Sequence, residues 1–170
     1  MEGCMSGDEF AARAEIADVL ATFCLCLDEY RVSEAVAVFT EDCLTDYGPG
    51  VGGELRGRAA FERRIEASQA RFARTHHQLG QTLYRFVGER AQTLTYVTAW
   101  HECPDGRQDT LWMRYEDELV RVVEGWRIAV RRAYISGSDG FPGVAWRFVQ
   151  RRRPGTPPVE GGETGEERSG

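Results

Sequence analysis

Between Asp8 and Leu27, apolar residues recur at three- and four-residue spacing (Phe10, Ala14, Ala17, Leu20, Ala21, Cys24, Leu27), which predicts a long amphipathic helix. A shorter helix is expected over about Ser33–Phe39, with Ser33 as N-cap and Ala35, Val36, Val38 and Phe39 as its buried face. Asp42 to Tyr47 reads as a short strand running into a loop marked by Gly48-Pro49-Gly50 and Gly52-Gly53. A third helix is expected over about Arg58–Phe72, entered through Gly57. Beyond it the period changes to two. Thr75–Val87, Ala91–Glu102, Asp109–Val123 and Trp126–Ile135 read as four strands. Turns at Gly88-Glu89-Arg90, Pro104-Asp105-Gly106 and Glu124-Gly125 separate them. Ser136–Gly143 reads as a loop, and Val144–Gln150 as a final strand or a covering segment.

Helices segregated from a run of antiparallel strands imply an α+β fold. The expected form is a curved, cone-shaped antiparallel or mixed sheet with three N-terminal helices across its open face. A cavity between the layers is a natural small-molecule site. One domain is expected over 1–153. The stretch 154–170, rich in Pro, Gly, Glu and Thr, is expected to be disordered.

Composition narrows the functions available. Hydrophobic residues make up 42% of the 170, enough for a proper core, and the 8 Phe, 6 Tyr and 4 Trp suggest a lined cavity or an interface. A net charge of −6 argues against nucleic-acid binding, which needs a basic field; the one basic run, Arg151 to Arg153, is followed by an acidic tail. Cys4, Cys24, Cys26, Cys43 and Cys103 give an odd count without regular spacing, so reduced thiols are expected and no disulfide framework or zinc site. On a helix, Cys24 and Cys26 are expected to point different ways. No apolar run reaches the roughly 18 residues of a membrane span, and no signal segment is recognisable. A cytoplasmic protein is expected, without membrane or nucleic-acid partners.

The chemistry rests on rare residues. The chain has 3 histidines, His76, His77 and His101. Strand alternation puts His77, Leu79, Gln81 and Leu83 on one face and His76 on the other. Val97, Ala99 and His101 share a face of the next strand, with small residues leaving room for a ligand. A hairpin centred near Gly88 would set His77 and His101 roughly level. Asp28 closes the first helix, where the helix dipole disfavours an acid and a compensating partner is invited. Three titratable groups converging in a cleft suggest an acid/base site. A metal site of His76, His77 and His101 is not expected, since His76 and His77 face opposite ways. Arg56, Arg58 and Arg63 read as a solvated helix entry.

Four stretches carry a family likeness: Leu27-Asp28; Leu44-Thr45-Asp46-Tyr47; Arg74-Thr75-His76-His77-Gln78-Leu79-Gly80; and Tyr96-Val97-Thr98-Ala99-Trp100-His101. With the hairpin Glu124-Gly125-Trp126-Arg127-Ile128, their order over about residues 10–135 resembles the NTF2-like, SnoaL-like cone fold. The likeness is strongest to scytalone dehydratase-like polyketide dehydratases and cyclases. The resemblance implies Asp28, His77, His101 and Tyr47 as catalytic residues. That family keeps a tyrosine just before the aspartate; Leu27 stands here, so one water-holding hydroxyl is missing.

The resulting expectation is a cofactor-independent acid/base enzyme of secondary metabolism acting on a small cyclic or polyketide-like carbonyl compound by dehydration or cyclisation. The alternatives are a ketosteroid-isomerase-like isomerase and a non-catalytic ligand-binding cone. Tyr115, on the third long strand with Trp112 and Met113, is expected to line the cavity. Phe141, Trp146 and Phe148 would form a lid over it, unless their segment is an edge strand in an oligomer interface. A homodimer or homotrimer is expected.

Overall fold

A computed structural model describes residues 7–150. The expected tail, Arg151 to Arg153, Cys4 and the first six residues lie outside them. The element order is α1 (Gly7–Asp28), α2 (Val32–Ala37), β1 (Phe39–Asp46), a 3₁₀ turn (Pro49–Val51), β2 (Glu54–Arg56), α3 (Arg58–Gln69), β3 (Arg74–Val87), β4 (Arg90–Glu102), β5 (Gln108–Val122) and β6 (Gly125–Asp139). One mixed sheet runs β2-β1-β6-β5-β4-β3, antiparallel except where β1 lies parallel to β6. The sheet curves about the helices, the α+β cone that the alternation of periods predicts.

Several details differ from the sequence reading. The buried stripe of α1 is Ala12, Ile16, Leu20, Phe23, Cys24, Cys26 and Leu27. Phe10, Ala14, Ala17 and Ala21 are exposed. The spacing of three and four fits both stripes, and the bulkier one faces the sheet. Cys24 and Cys26 are both buried, because α2 covers the flank that the sheet leaves open. Ser33 caps nothing: its hydroxyl bonds Glu62 on α3, and Phe39 opens β1 rather than closing α2. The short strand β2 is hidden in sequence by its glycine-rich surroundings.

The long strands break register at bulges. In β3, Leu79 pairs with Val97 and Thr82 with Thr95, so Gly80 and Gln81 together oppose Tyr96. Parity changes there: Thr82, Tyr84 and Phe86 turn inward, while Gln81 and Leu83, expected beside His77, are exposed. In β6, Val130 pairs with Glu118 and Ile128 with Leu119, which leaves Ala129 as the extra residue. Trp126 and Ile128 are buried before it, and Arg131, Ala133 and Ile135 after it.

Candidate active site

Asp28 ends α1 with its carboxylate against β3. Its Oδ1 accepts from the Thr75 hydroxyl at 2.8 Å and meets His77 Nδ1 at 2.7 Å, and its Oδ2 accepts the His77 amide at 2.9 Å. Those bonds satisfy the acid that the helix dipole disfavours. Burial works to raise the Asp28 pKa, but the bonds and charge of His77 and the Thr75 bond outweigh it and hold the carboxylate below its usual range. With Nδ1 on the carboxylate, Nε2 of His77 is left for the cavity. His76, 69% exposed, lies on the other face.

The two histidines are offset rather than level. His77 pairs with Ala99, and His101 pairs with Thr75. They are diagonal neighbours on one face, with ring centroids 5.5 Å apart and nearly perpendicular. Burial, then repulsion from His77, pushes the His101 pKa down from 6.5 to about 4. Its ring is therefore neutral at pH 7, and its Nδ1 is buried without a partner. The sign follows from linkage. Between pH 6.5 and about 4 the unfolded chain binds a proton that the folded chain refuses. Stability should fall by up to about 3 kcal/mol as pH drops through that window. Urea midpoints at pH 7 and pH 4.5 measure this, and His101→Gln should flatten the difference.

The cavity of about 150 Å³ lies between α3 and the inner sheet face. A void of that size holds a single aromatic ring. Leu27, Ile65, Phe72, Ala99, Leu111, Met113, Tyr115 and Ile135 form its apolar walls. Tyr115 and Met113 point inward as β5 alternates, while Trp112 is 47% exposed on the outer face. Tyr47, just past β1, stacks on Phe61 at 5.8 Å and meets Tyr115 edge-on at 6.1 Å. Its hydroxyl is buried beside the Arg131 guanidinium. Burial raises its pKa, and Arg131 partly offsets that.

The segment after β6 covers the cavity. Phe141, Val144 and Trp146 line it, and the Phe141 ring lies 5.3 Å from that of His101. Phe141 has a positive φ of 50°, held by its amide bond to Asp109 Oδ1 at 3.1 Å. Gly50 donates to the Ala145 carbonyl at 2.8 Å, and a Cβ at Gly50 would lie 2.4 Å from that backbone. Phe148, 49% exposed, sits outside the cavity and bridges to Ile135 in parallel. The stretch is thus a cover at its start and an edge bridge at its end. Arg56 and Arg58 pair with Glu54 and Glu41, away from the cavity.

Three contributions escape the sequence reading. Thr75 was recoverable, since it sits two residues before His77 and so shares its face. Arg131 was not, because the Ala129 bulge sets its direction. It is fully buried, bonded to Asp117 through Nε at 2.8 Å and Nη2 at 2.7 Å. It lies 4.0 Å from the Tyr115 centroid and 4.6 Å from that of Phe23. Arg64 on α3 also lines the cavity, its guanidinium 5.8 Å from the Tyr47 ring centroid.

Among the described residues, no group of three or more His, Cys, Asp or Glu could hold a metal ion, and no helix is long and apolar enough to cross a membrane.

Comparison with known proteins places the chain. It is 29% identical over 131 residues to the uncharacterized protein Rv2910c of Mycobacterium tuberculosis, covering 75% of this chain and 87% of that one. A scytalone dehydratase candidate from Novosphingobium aromaticivorans superposes with a TM-score of 0.82 at 23% identity, over 88% of this chain and all of that one. ActVI-ORFA from Streptomyces coelicolor gives a TM-score of 0.64 at 19% identity, over 74% of this chain and 97% of that one. The family model described as a SnoaL-like domain matches residues 8–132. The chain belongs to the SnoaL-like family of the NTF2-like superfamily.

Proposed function

We propose that this protein is a cofactor-independent acid/base enzyme acting on a small cyclic carbonyl compound, by eliminating water or closing a ring. The observation that carries the proposal is the Asp28–His77 pair, whose carboxylate is bonded to Nδ1 while Nε2 stays on the cavity side. Asp28 fixes the tautomer, and His77 Nε2 removes a proton α to the carbonyl. Neutral His101 and the buried Tyr47 hydroxyl hold and polarise the oxygen that gains charge or leaves. A dehydration then balances simply: His77 takes the α proton and returns it to the departing hydroxyl, which leaves as water as the carbon–carbon double bond forms, while His101 and Tyr47 donate hydrogen bonds and keep their protons. The chain contains no lysine, so activation of the carbonyl as a lysine imine is closed to it and direct enolisation is left. The likeness to a scytalone dehydratase candidate agrees with this reading.

The test is turnover of a panel of cyclic β-hydroxyketones, followed by enone absorbance. Asp28→Asn, His77→Gln and His101→Asn should each lose about 10²–10⁴-fold in kcat while staying folded. Full turnover in folded His77→Gln and His101→Asn would sink the acid/base reading and favour a ligand-binding cone.

A further inference from the structure

The α3 wall of the cavity is chemically unlike the rest. Its charged lining residues are Arg64 and Arg71, with Ser68 between them, and no aspartate or glutamate lines the cavity. Among the described residues neither arginine is paired with a carboxylate, although the chain carries 27 acidic residues against 21 basic ones. Nearby acids are already committed. Asp46 accepts the Gly48 amide on Oδ1 at 2.9 Å and Arg147 Nη2 on Oδ2 at 2.5 Å. Asp28 is held by Thr75 and His77, and Asp109 by Arg107 and the Phe141 amide. Arg64 is half-buried, and burial pushes its pKa down further than Tyr47 and Asp46 raise it, so its desolvation is only partly offset. Its Nη1 would lie 3.1 Å from a Cβ at Gly52, so the glycine leaves the guanidinium its place beside the Tyr47 ring.

A guanidinium left unpaired against a ligand cavity in an acidic protein is placed for a ligand's anion. Resting on the acid/base reading of the same cavity, we infer that the ligand is a ring compound bearing a carboxylate, which Arg64 binds with Arg71 while the ring lies between Tyr47, Phe72 and the two histidines. The carboxylate then fixes which ring edge meets His77 and His101, so Arg64 sets specificity and orientation rather than moving protons.

Benzoate and its neutral counterpart benzamide are the probes, titrated into the full chain at pH 7.5 and followed by NMR. Benzoate should bind about tenfold more tightly, its affinity should fall with added salt, and Arg64→Gln should bring the two within twofold. Arg71→Gln should lower the preference less. Equal binding of the two probes by the wild-type protein would overturn the inference, as would an undiminished preference in folded Arg64→Gln. A preference lost in His77→Gln instead would also overturn it, placing the anion on the imidazole. That failure leaves the acid/base reading standing. Full turnover in the histidine variants with an intact Arg64-dependent preference would remove the acid/base reading alone.

Discussion

Asp117→Ala should cost about 3–5 kcal/mol of stability, the usual penalty for stranding one member of a buried ion pair. Both side chains are 0% exposed, and Asp117 holds Arg131 through two short bonds. The guanidinium lies over the rings of Phe23, Phe39 and Tyr115, which stack on it but carry no negative charge to replace the carboxylate. One donor, Nη1, is already unpartnered in the intact protein. Removing the carboxylate leaves a full charge in an aromatic cage. Urea unfolding of Asp117→Ala measures the loss, and a drop below about 1 kcal/mol contradicts the assignment. Replacing both residues, as Asp117→Leu with Arg131→Met, should recover most of the loss, because a well-packed apolar pair often equals a buried ion pair. The double variant should still affect the site, since Tyr47 loses the cation that eases its ionisation.

Inserting one alanine between Gln81 and Thr82 should abolish turnover, a loss of about 10⁴-fold at the upper end for one acid/base group. The near-turn half of the β3–β4 hairpin pairs Val87 with Arg90 and Thr82 with Thr95. Continued without the bulge, that register sets His77 opposite Trp100, on the outer face. The bulge moves it opposite Ala99, onto the face of His101. One more residue, with the single bulge kept, slides the far half of β3 by one, turns Thr75, His77 and Leu79 out and brings His76 and Gln78 in. Deleting Gln81 instead removes the bulge, leaves His77 opposite Ala99 and should keep activity. Gln81→Ala keeps the count and should keep activity. Turnover in the insertion variant within tenfold of wild type would show that the segment does not hold this register.

These two sites also explain what the sequence disclosed. Asp28, His77, His101, Tyr47, Phe141 and Trp146 were legible because each is chemically rare in its stretch or sits at an element boundary. The structure sets five of them on the wall of one cavity, with Asp28 bonded to His77 behind it. The faces of strands were legible only within unbroken runs. Leu79 was placed correctly, whereas Gln81 and Leu83 fell beyond a bulge whose only marker is Gly80. The stripe of α1 was misplaced for another reason. Alanines fit any helical face, and only packing against the sheet selects Ile16 and Phe23 over Ala17 and Ala21. Arg131 combines both problems, a charge on the wrong side of a bulge that local sequence does not announce.

The parallel pairing of β1 with β6 has a consequence for how the chain is made. Thr45 adjoins Arg131 in the sheet, yet the whole β3–β5 meander is synthesised between them. During translation the helices and β1 emerge first, with β2 as the only sheet neighbour then available to β1. The other edge of β1 stays open until β6 leaves the ribosome, a long-range closure of the kind that slows folding and exposes strand edges. Asp28 likewise waits for His77. Ribosome-bound chains ending before Gly125 should therefore be protease-sensitive through β1, and chains extended well past Ile135 should not.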